Sequence, residues 1–151
     1  MKNPTKLPKG LTGIAGEYFV AGELSIRGFM ASVTLRNNDS IDIHASKLSD
    51  GKIFAIQVKT NQNGNRSWPL SKKAESQKSE NLFYIFVSLK GLTERPEYFI
   101  VPSKHIADSM KAGHAKWLST PGKQGQPHKD TNIRNFQDKK GQFWEKWDLL
   151  K

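Results

Sequence analysis

Two short segments carry the residue types best suited to chemistry: Ser40-Ile41-Asp42-Ile43-His44 and, after a polar turn, Phe54-Ala55-Ile56-Gln57-Val58-Lys59-Thr60. In the second, Phe54, Ile56 and Val58 alternate with Ala55, Gln57 and Lys59, as on a strand with one apolar and one polar face. In the first, Ile41 and Ile43 oppose Asp42 and His44 in the same way. The connection contains Asp50-Gly51, a hairpin signal in a loop longer than the tightest two-residue type. If the strands pair, Asp42, Gln57 and Lys59 share one polar surface. A carboxylate, an amide oxygen and an ammonium serve packing poorly there, and they suit the core of a metal-dependent nuclease.

Other elements must position this set. From Thr12, a candidate N-cap, to Gly28, a candidate C-cap, the pattern is helical. Leu11, Ile14, Ala15, Tyr18, Phe19 and Gly22 follow the i, i+3, i+4 rule and predict the buried stripe. Glu17 lies on a row with Val20, Ala21 and Leu24, which places a carboxylate beside the apolar face; the alternative is a surface glutamate paired with a lysine or arginine. Gly13 and Gly16 permit close approach to a sheet, bringing Glu17 toward whatever that sheet presents. Phe29 to Leu35 reads as the first strand and ends at the polar turn Arg36-Asn37-Asn38-Asp39. Residues 61–69 read as loop by composition, leaving from the Lys59 end of the candidate site. Arg66 and Trp68 could meet phosphate and base there, or Trp68 could cap the core.

Residues 71–80 are almost wholly polar and suit a short exposed helix or ordered loop, with Lys72, Lys73 and Lys78 within reach of a nucleic-acid backbone. Asn81 to Leu89 is a near-continuous apolar run, as in a central strand buried on both faces. Glu97 to Val101 is another strand, and Pro102-Ser103 starts a helix with Ile106, Ala107 and Met110 inward. Residues 119–131 are rich in Gly, Pro, Gln and Lys and predict a long excursion. Phe143, Trp147 and Leu150 fall at helical spacing, so the tail predicts a helix docked on the body. The first ten residues, with Lys2, Lys6, Lys9 and two prolines, read as a poorly ordered basic arm.

With 151 residues and 36% hydrophobic content, residues 11–151 are expected to form one domain with one core. A formal net charge of +10 favours polyanionic partners, nucleic acid or an anionic membrane surface, against the plainer reading of solubility charge. No apolar run is long enough to span a bilayer, and the N-terminus lacks the apolar stretch of a secretory signal, so cytoplasmic residence is the expectation. Cysteine is absent, which removes disulfide scaffolds and thiolate zinc sites. His105, His114 and His128 lack HExxH spacing, and neither a phosphate-binding glycine loop nor a Gly-x-Ser-x-Gly elbow occurs.

Taken together, Glu17 in an opening helix, Asp42 on one strand and Gln57-Val58-Lys59 on the next resemble the PD-(D/E)XK phosphodiesterase superfamily. The set is most similar to archaeal Holliday-junction resolvases, which also carry Gly-Glu in the first helix, as at Gly16-Glu17, and close it with Leu and Gly-Phe, as at Leu24 and Gly28-Phe29. The resemblance covers about the first 60 residues, with a compatible run of strand and helix to about residue 112. It departs from the superfamily's pattern at Gln57, where an acidic residue is usual; some transposon endonuclease subunits carry the same Gln-x-Lys.

The resemblance implies an α/β fold with a restriction-endonuclease-like core: a mixed central sheet of about five strands flanked by helices. It implies a magnesium-dependent endonuclease, manganese substituting, acting on DNA of branched or otherwise nonstandard form. Asp42 would be the principal metal ligand, completed by the Gln57 side-chain oxygen, the Val58 backbone carbonyl and Glu17. Lys59 would polarise the attacking water and stabilise charge on the phosphate. His44, beside Asp42, could contact phosphate or water, or be a structural imidazole. Junction resolvases of the superfamily work as dimers, so the resemblance also implies a homodimer. A rival expectation is a catalytically weak or inactive member of the fold that binds nucleic acid or a protein partner.

Overall fold

The computed structural model describes residues 6–35 and 41–151. The first five residues of the expected basic arm, the Arg36–Asp39 turn and Ser40 lie outside the described residues.

Five strands form one mixed sheet: β1 (Phe29–Val33), β2 (Ile43–Lys47), β3 (Ile53–Asn61), β5 (Leu82–Ser88) and β6 (Glu97–Pro102), in the spatial order β1-β2-β3-β5-β6. Only β3 and β5 run parallel, with Gln57 opposite Tyr84 and Lys59 opposite Phe86; the other neighbours are antiparallel. Each face has its own core. Phe54, Ile56 and Val58 pack with Ile43, Ile85, Ile100 and with Val20 and Leu24 of α1 (Lys9–Ile26), while Tyr84, Phe86, Phe99 and Val101 face Ile106 and Met110 of α2 (Ser103–Ser119). β5 is therefore buried on both sides, as its unbroken apolar run requires. The sequence places β2 earlier than the structure does: among the described residues of that segment the strand begins at Ile43, and Asp42 sits just before it.

Helix α1 (Lys9–Ile26) starts before the expected cap. Thr12 lies inside its first turns, its hydroxyl donating to the Pro8 carbonyl at 3.2 Å, and Gly28 follows the helix with a φ of +84°. The end of the expected arm is tied down: Gln62 accepts from the Leu7 N–H at 2.8 Å and donates to the Leu7 carbonyl at 2.7 Å. The buried stripe is Thr12, Gly16, Val20 and Leu24, not the expected Leu11, Ile14, Ala15, Tyr18, Phe19 and Gly22. Tyr18 is 66% exposed and Leu11 54%. Close approach decides this, because a Cβ on Gly16 would stand 1.7 Å from the Thr60 hydroxyl oxygen. Only a glycine at position 16 lets α1 lie this close to Thr60 of β3.

Two further expectations give way in the second half of the chain. Part of the expected loop at 61–69 is strand: β4 (Ser67–Ser71) pairs antiparallel with β7 (Ile133–Gln137), Ser67 opposite Gln137, to form a separate two-stranded ribbon. The ribbon covers the α2 side of the sheet with Trp68, Leu70 and Phe136. The tail is not a docked helix but an irregular segment with a single 3₁₀ turn at Trp147–Leu149. It bonds to β6 instead, the Ile100 N–H donating to the Phe143 carbonyl at 3.0 Å and the Glu145 N–H to the Tyr98 carbonyl at 2.9 Å. A helix could not satisfy that backbone edge. Trp147 and Leu150 then enter the α1-side core. Although burial acts to raise its pKa, Glu23 is held below the usual carboxylate value by Arg95 and Arg27; Arg95 also reaches Glu145 at 2.5 Å, clamping the tail to α1.

After β4, a 3₁₀ turn at Lys72–Glu75 occupies the polar stretch. Helix α2 (Ser103–Ser119) buries Ile106, Ala107 and Met110, as its spacing predicts, and residues 120–132 contain no helix or strand.

Substituting Gly16→Ala forces α1 away from Thr60, and overpacking of this kind costs about 1–3 kcal/mol. Urea denaturation is expected to show that loss, whereas Gly22→Ala, whose Cβ would meet nothing within 4 Å, is expected to be neutral or stabilising.

Candidate active site

Strand β3 divides its side chains strictly. Phe54, Ile56, Val58 and Thr60 turn to α1, and Gln57 and Lys59 turn to the opposite face. There they line a cleft of about 540 Å³ whose other walls are Pro69, Leu70 and Ser71 of β4, Lys73 and Gln77, Tyr84 of β5, and Asn132 and Ile133 at the start of β7. The charged residues lining it are Lys59 and Lys73, both cationic. Gln57 is 8% exposed, so its amide sits at the base of the cleft. Tyr84 donates to Gln77 at 3.3 Å, and burial pushes its phenol above the ordinary value, keeping that wall neutral.

Asp42 stands where β2 and β3 stop pairing. Its N–H donates to the Ile56 carbonyl at 2.9 Å, and its Oδ2 accepts the Val58 N–H at 2.7 Å, so a side chain continues the ladder where the backbone of β2 leaves it. In an extended strand the N–H and C=O of one residue point to the same side. The Val58 carbonyl therefore points toward the gap that Asp42 closes, between the two residues that line the cleft.

The structure thus brings Gln57 and Lys59 into one cleft and fixes Asp42 to the peptide between them. Neither Glu17 nor His44 lines that cleft. Glu17 is half-buried on α1, next to Gly16, which abuts Thr60 of β3; His44 is exposed on β2, between Ser32 and Ala55. Trp68 takes the core-capping role: at 1% exposure, with its indole N–H donating to the Val87 carbonyl at 3.0 Å, it cannot stack on a base. Arg66 pairs with Glu97 at 3.4 Å and lies over the Phe99 ring. Lys72 is exposed and 3.5 Å from Asp130. The cleft walls supplied by Asn132 and Ile133 escaped the sequence reading; the alternation Ile133-Arg134-Asn135-Phe136-Gln137 was the available signal.

No group of three or more His, Cys, Asp or Glu side chains is placed to hold a metal among the described residues. The donors near the gap are hard oxygens: the Asp42 carboxylate, the Gln57 amide and the Val58 carbonyl. That set suits a magnesium ion, which keeps several waters and needs only one or two carboxylates, better than it suits zinc or calcium. A larger groove of about 680 Å³ between α2 and β7 contains none of the sequence's candidate residues.

With the geometry in place, comparison with known proteins is informative for the fold. A bacterial homing endonuclease, I-Ssp6803I, superposes with a TM-score of 0.55 at 13% identity, over 97% of this chain and 92% of that one. The fold is restriction-endonuclease-like. Hjc, a Holliday junction resolvase from Archaeoglobus fulgidus, superposes with a TM-score of 0.48 at 14% identity, over 83% of this chain and 84% of that one. No protein-family model and no curated protein matches the sequence. Among the described residues no helix is long and apolar enough to cross a membrane.

The bond from Val58 to Asp42 separates structure from chemistry. Asp42→Ala leaves a half-buried N–H unpaired and is expected to cost about 1–3 kcal/mol by urea denaturation. Asp42→Asn keeps an oxygen acceptor there and is expected to recover most of that stability.

Proposed function

We propose that the protein is a metal-dependent endonuclease that hydrolyses phosphodiester bonds in DNA at the Gln57–Lys59 cleft. One observation carries the reading: Gln57 and Lys59 share a cleft whose charged lining residues are both cationic, and the Asp42 carboxylate is bonded to the peptide between them. The restriction-endonuclease-like fold and the net charge of +10 are consistent with a polyanionic substrate.

The residues take the following parts. Lys59 and Lys73 draw a phosphate into the cleft, and the compact Lys59 ammonium stabilises negative charge growing on it during attack. Lys59 also orients the attacking water. Asp42, the Val58 carbonyl and Gln57 would hold a divalent ion, with Glu17 the further candidate ligand. When bound, such an ion supplies Lewis-acid stabilisation of the phosphoryl oxygens. Gln57 in place of a carboxylate removes one negative charge from the donor set, which lowers affinity for the ion and leaves Asp42 as the anionic anchor. Branched DNA as the preferred form, a homodimeric state and cytoplasmic residence belong to the same proposal.

The test is cleavage of plasmid, single-stranded and four-way-junction DNA in magnesium or manganese. Wild type is expected to cut. Lys59→Ala is expected to lose on the order of 100-fold or more in rate, and Gln57→Glu to keep or raise activity at low magnesium. Cutting that survives Lys59→Ala would overturn the assignment. Salt-sensitive binding without any cutting, unchanged in Asp42→Asn and Lys59→Ala, would identify a binding module instead.

A further inference from the structure

Helix α1 is apolar on two faces, and only one of them meets the sheet. Opposite the buried row of Thr12, Gly16, Val20 and Leu24, the helical repeat places Leu11, Ala15, Tyr18, Gly22 and Ile26, with Phe19 beside them. Leu11 is 54% exposed, Tyr18 66%, Phe19 47% and Ile26 79%. The charged residues of the helix, Lys9, Glu17 and Glu23, lie off this row, and Glu23 is held on one flank by Arg27 and Arg95. A helix that is apolar all round is normally covered on every side. In a chain with a net charge of +10, about four turns of outward helix without a charge stand apart from the surface that a polyanion would meet.

The pattern of the row indicates what covers it. By side-chain size it repeats in both directions about the midpoint between Tyr18 and Phe19. In two antiparallel copies of α1, Leu11 stands opposite the partner's Ile26, Ala15 opposite the partner's Gly22 and Tyr18 opposite the partner's Phe19, and a two-fold axis repeats each pair. Large side chains meet at the ends and the centre, and the small pair between them lets the two backbones approach closely. An isologous interface requires such self-complementarity, whereas docking of a different protein does not. The area is also sufficient. At about 150–250 Å² for an aromatic side chain and somewhat less for Leu or Ile, the four large side chains expose roughly 450 Å² on each copy and about 900 Å² on a pair. Ile14, Ala15, Gly22 and Ser25 between them bring the strip to about 1,000 Å², the size at which specific interfaces begin. Ser25 donates its hydroxyl to the Ala21 carbonyl at 2.8 Å, so covering it leaves that donor paired.

We propose that two copies of the chain pair through the outer face of α1, antiparallel, about a two-fold axis between Tyr18 and Phe19. The inference rests on the homodimeric part of the functional reading above and gives it a surface; it is independent of the chemistry. Helix α1 lies on the side of the sheet opposite the cleft of Gln57 and Lys59, so this pairing leaves both clefts open.

The experiment is sedimentation equilibrium of the full chain across a concentration series. The expected mass is twice 17.1 kDa, falling to 17.1 kDa on dilution. Tyr18→Glu is expected to weaken pairing about tenfold or more. Leu118→Glu, at an exposed position of α2, is expected to leave it unchanged. Circular dichroism checks that each variant folds. Leu11→Lys and Ile26→Glu then test the register. Each alone is expected to be monomeric at concentrations where wild type pairs, because its own pairing sets a charge against an apolar side chain at both ends. An equimolar mixture of the two is expected to recover the dimer, with the introduced charges facing each other at one end and the native Leu11 and Ile26 at the other. A wild type that stays monomeric, a dimer indifferent to Tyr18→Glu, or a mixture that fails to recover pairing overturns the proposal. Pairing and cleavage fail separately. Magnesium-dependent cutting by a monomer removes the interface and keeps the nuclease, whereas a dimer that responds as expected and cuts nothing keeps the interface and removes the nuclease.

Discussion

Strand β3 lies between two cores, and its two-residue alternation is the constraint from which the rest of the arrangement follows. Phe54, Ile56 and Val58 cannot leave the α1 side without exposing the larger core, so Gln57 and Lys59 are forced to the other face. Burial of Gln57 there would cost free energy in a fully packed environment; the cleft next to it, with Lys59 and Tyr84 alongside, is the polar setting that accommodates it. Asp42 has a structural part in this. Its carboxylate holds the Val58 N–H where β2 peels away, and this same bond keeps an anion fixed beside the cleft without a second backbone strand to fill the gap.

Much of this was legible in the residues. The alternation in β3, the doubly buried run of β5 and the inward Ile106, Ala107 and Met110 of α2 depend on local periodicity, which a sequence displays directly. The close approach signalled by Gly16 was legible too, since only glycine tolerates the Thr60 hydroxyl at that distance. The orientation of α1 was not. Its larger apolar residues suggest one face, but the close approach at Gly16 turns the Thr12, Gly16, Val20 and Leu24 row to the sheet and leaves Tyr18 and Phe19 exposed.

The second half of the chain was harder because its structure is decided by partners distant in sequence. Ser67-Trp68-Pro69-Leu70-Ser71 has strand alternation broken by a proline, and its partner β7 lies more than sixty residues away, so neither is recognisable until both are seen together. The tail shows the converse error. Phe143, Trp147 and Leu150 have helical spacing, yet Phe143 packs with the α2-side cluster and Trp147 and Leu150 with the α1-side core, an arrangement that one helix face cannot produce. The available edge of β6 and the Arg95 clamp on Glu23 and Glu145 override local periodicity. For the candidate site, the alternation of β3 displays Gln57 and Lys59 on one face, whereas the wall at Asn132 and Ile133 depends on that long-range pairing.

The central claim is that the oxygens of Asp42, Gln57 and Val58 form a place for a divalent ion next to Lys59. Its most direct test is a crystal structure of the protein with manganese, read from the anomalous signal. The account predicts a peak in the gap between the Asp42 carboxylate and the Val58 carbonyl, absent from crystals of Asp42→Asn. Manganese bound elsewhere with that gap empty, or a peak there that persists in Asp42→Asn, would contradict it.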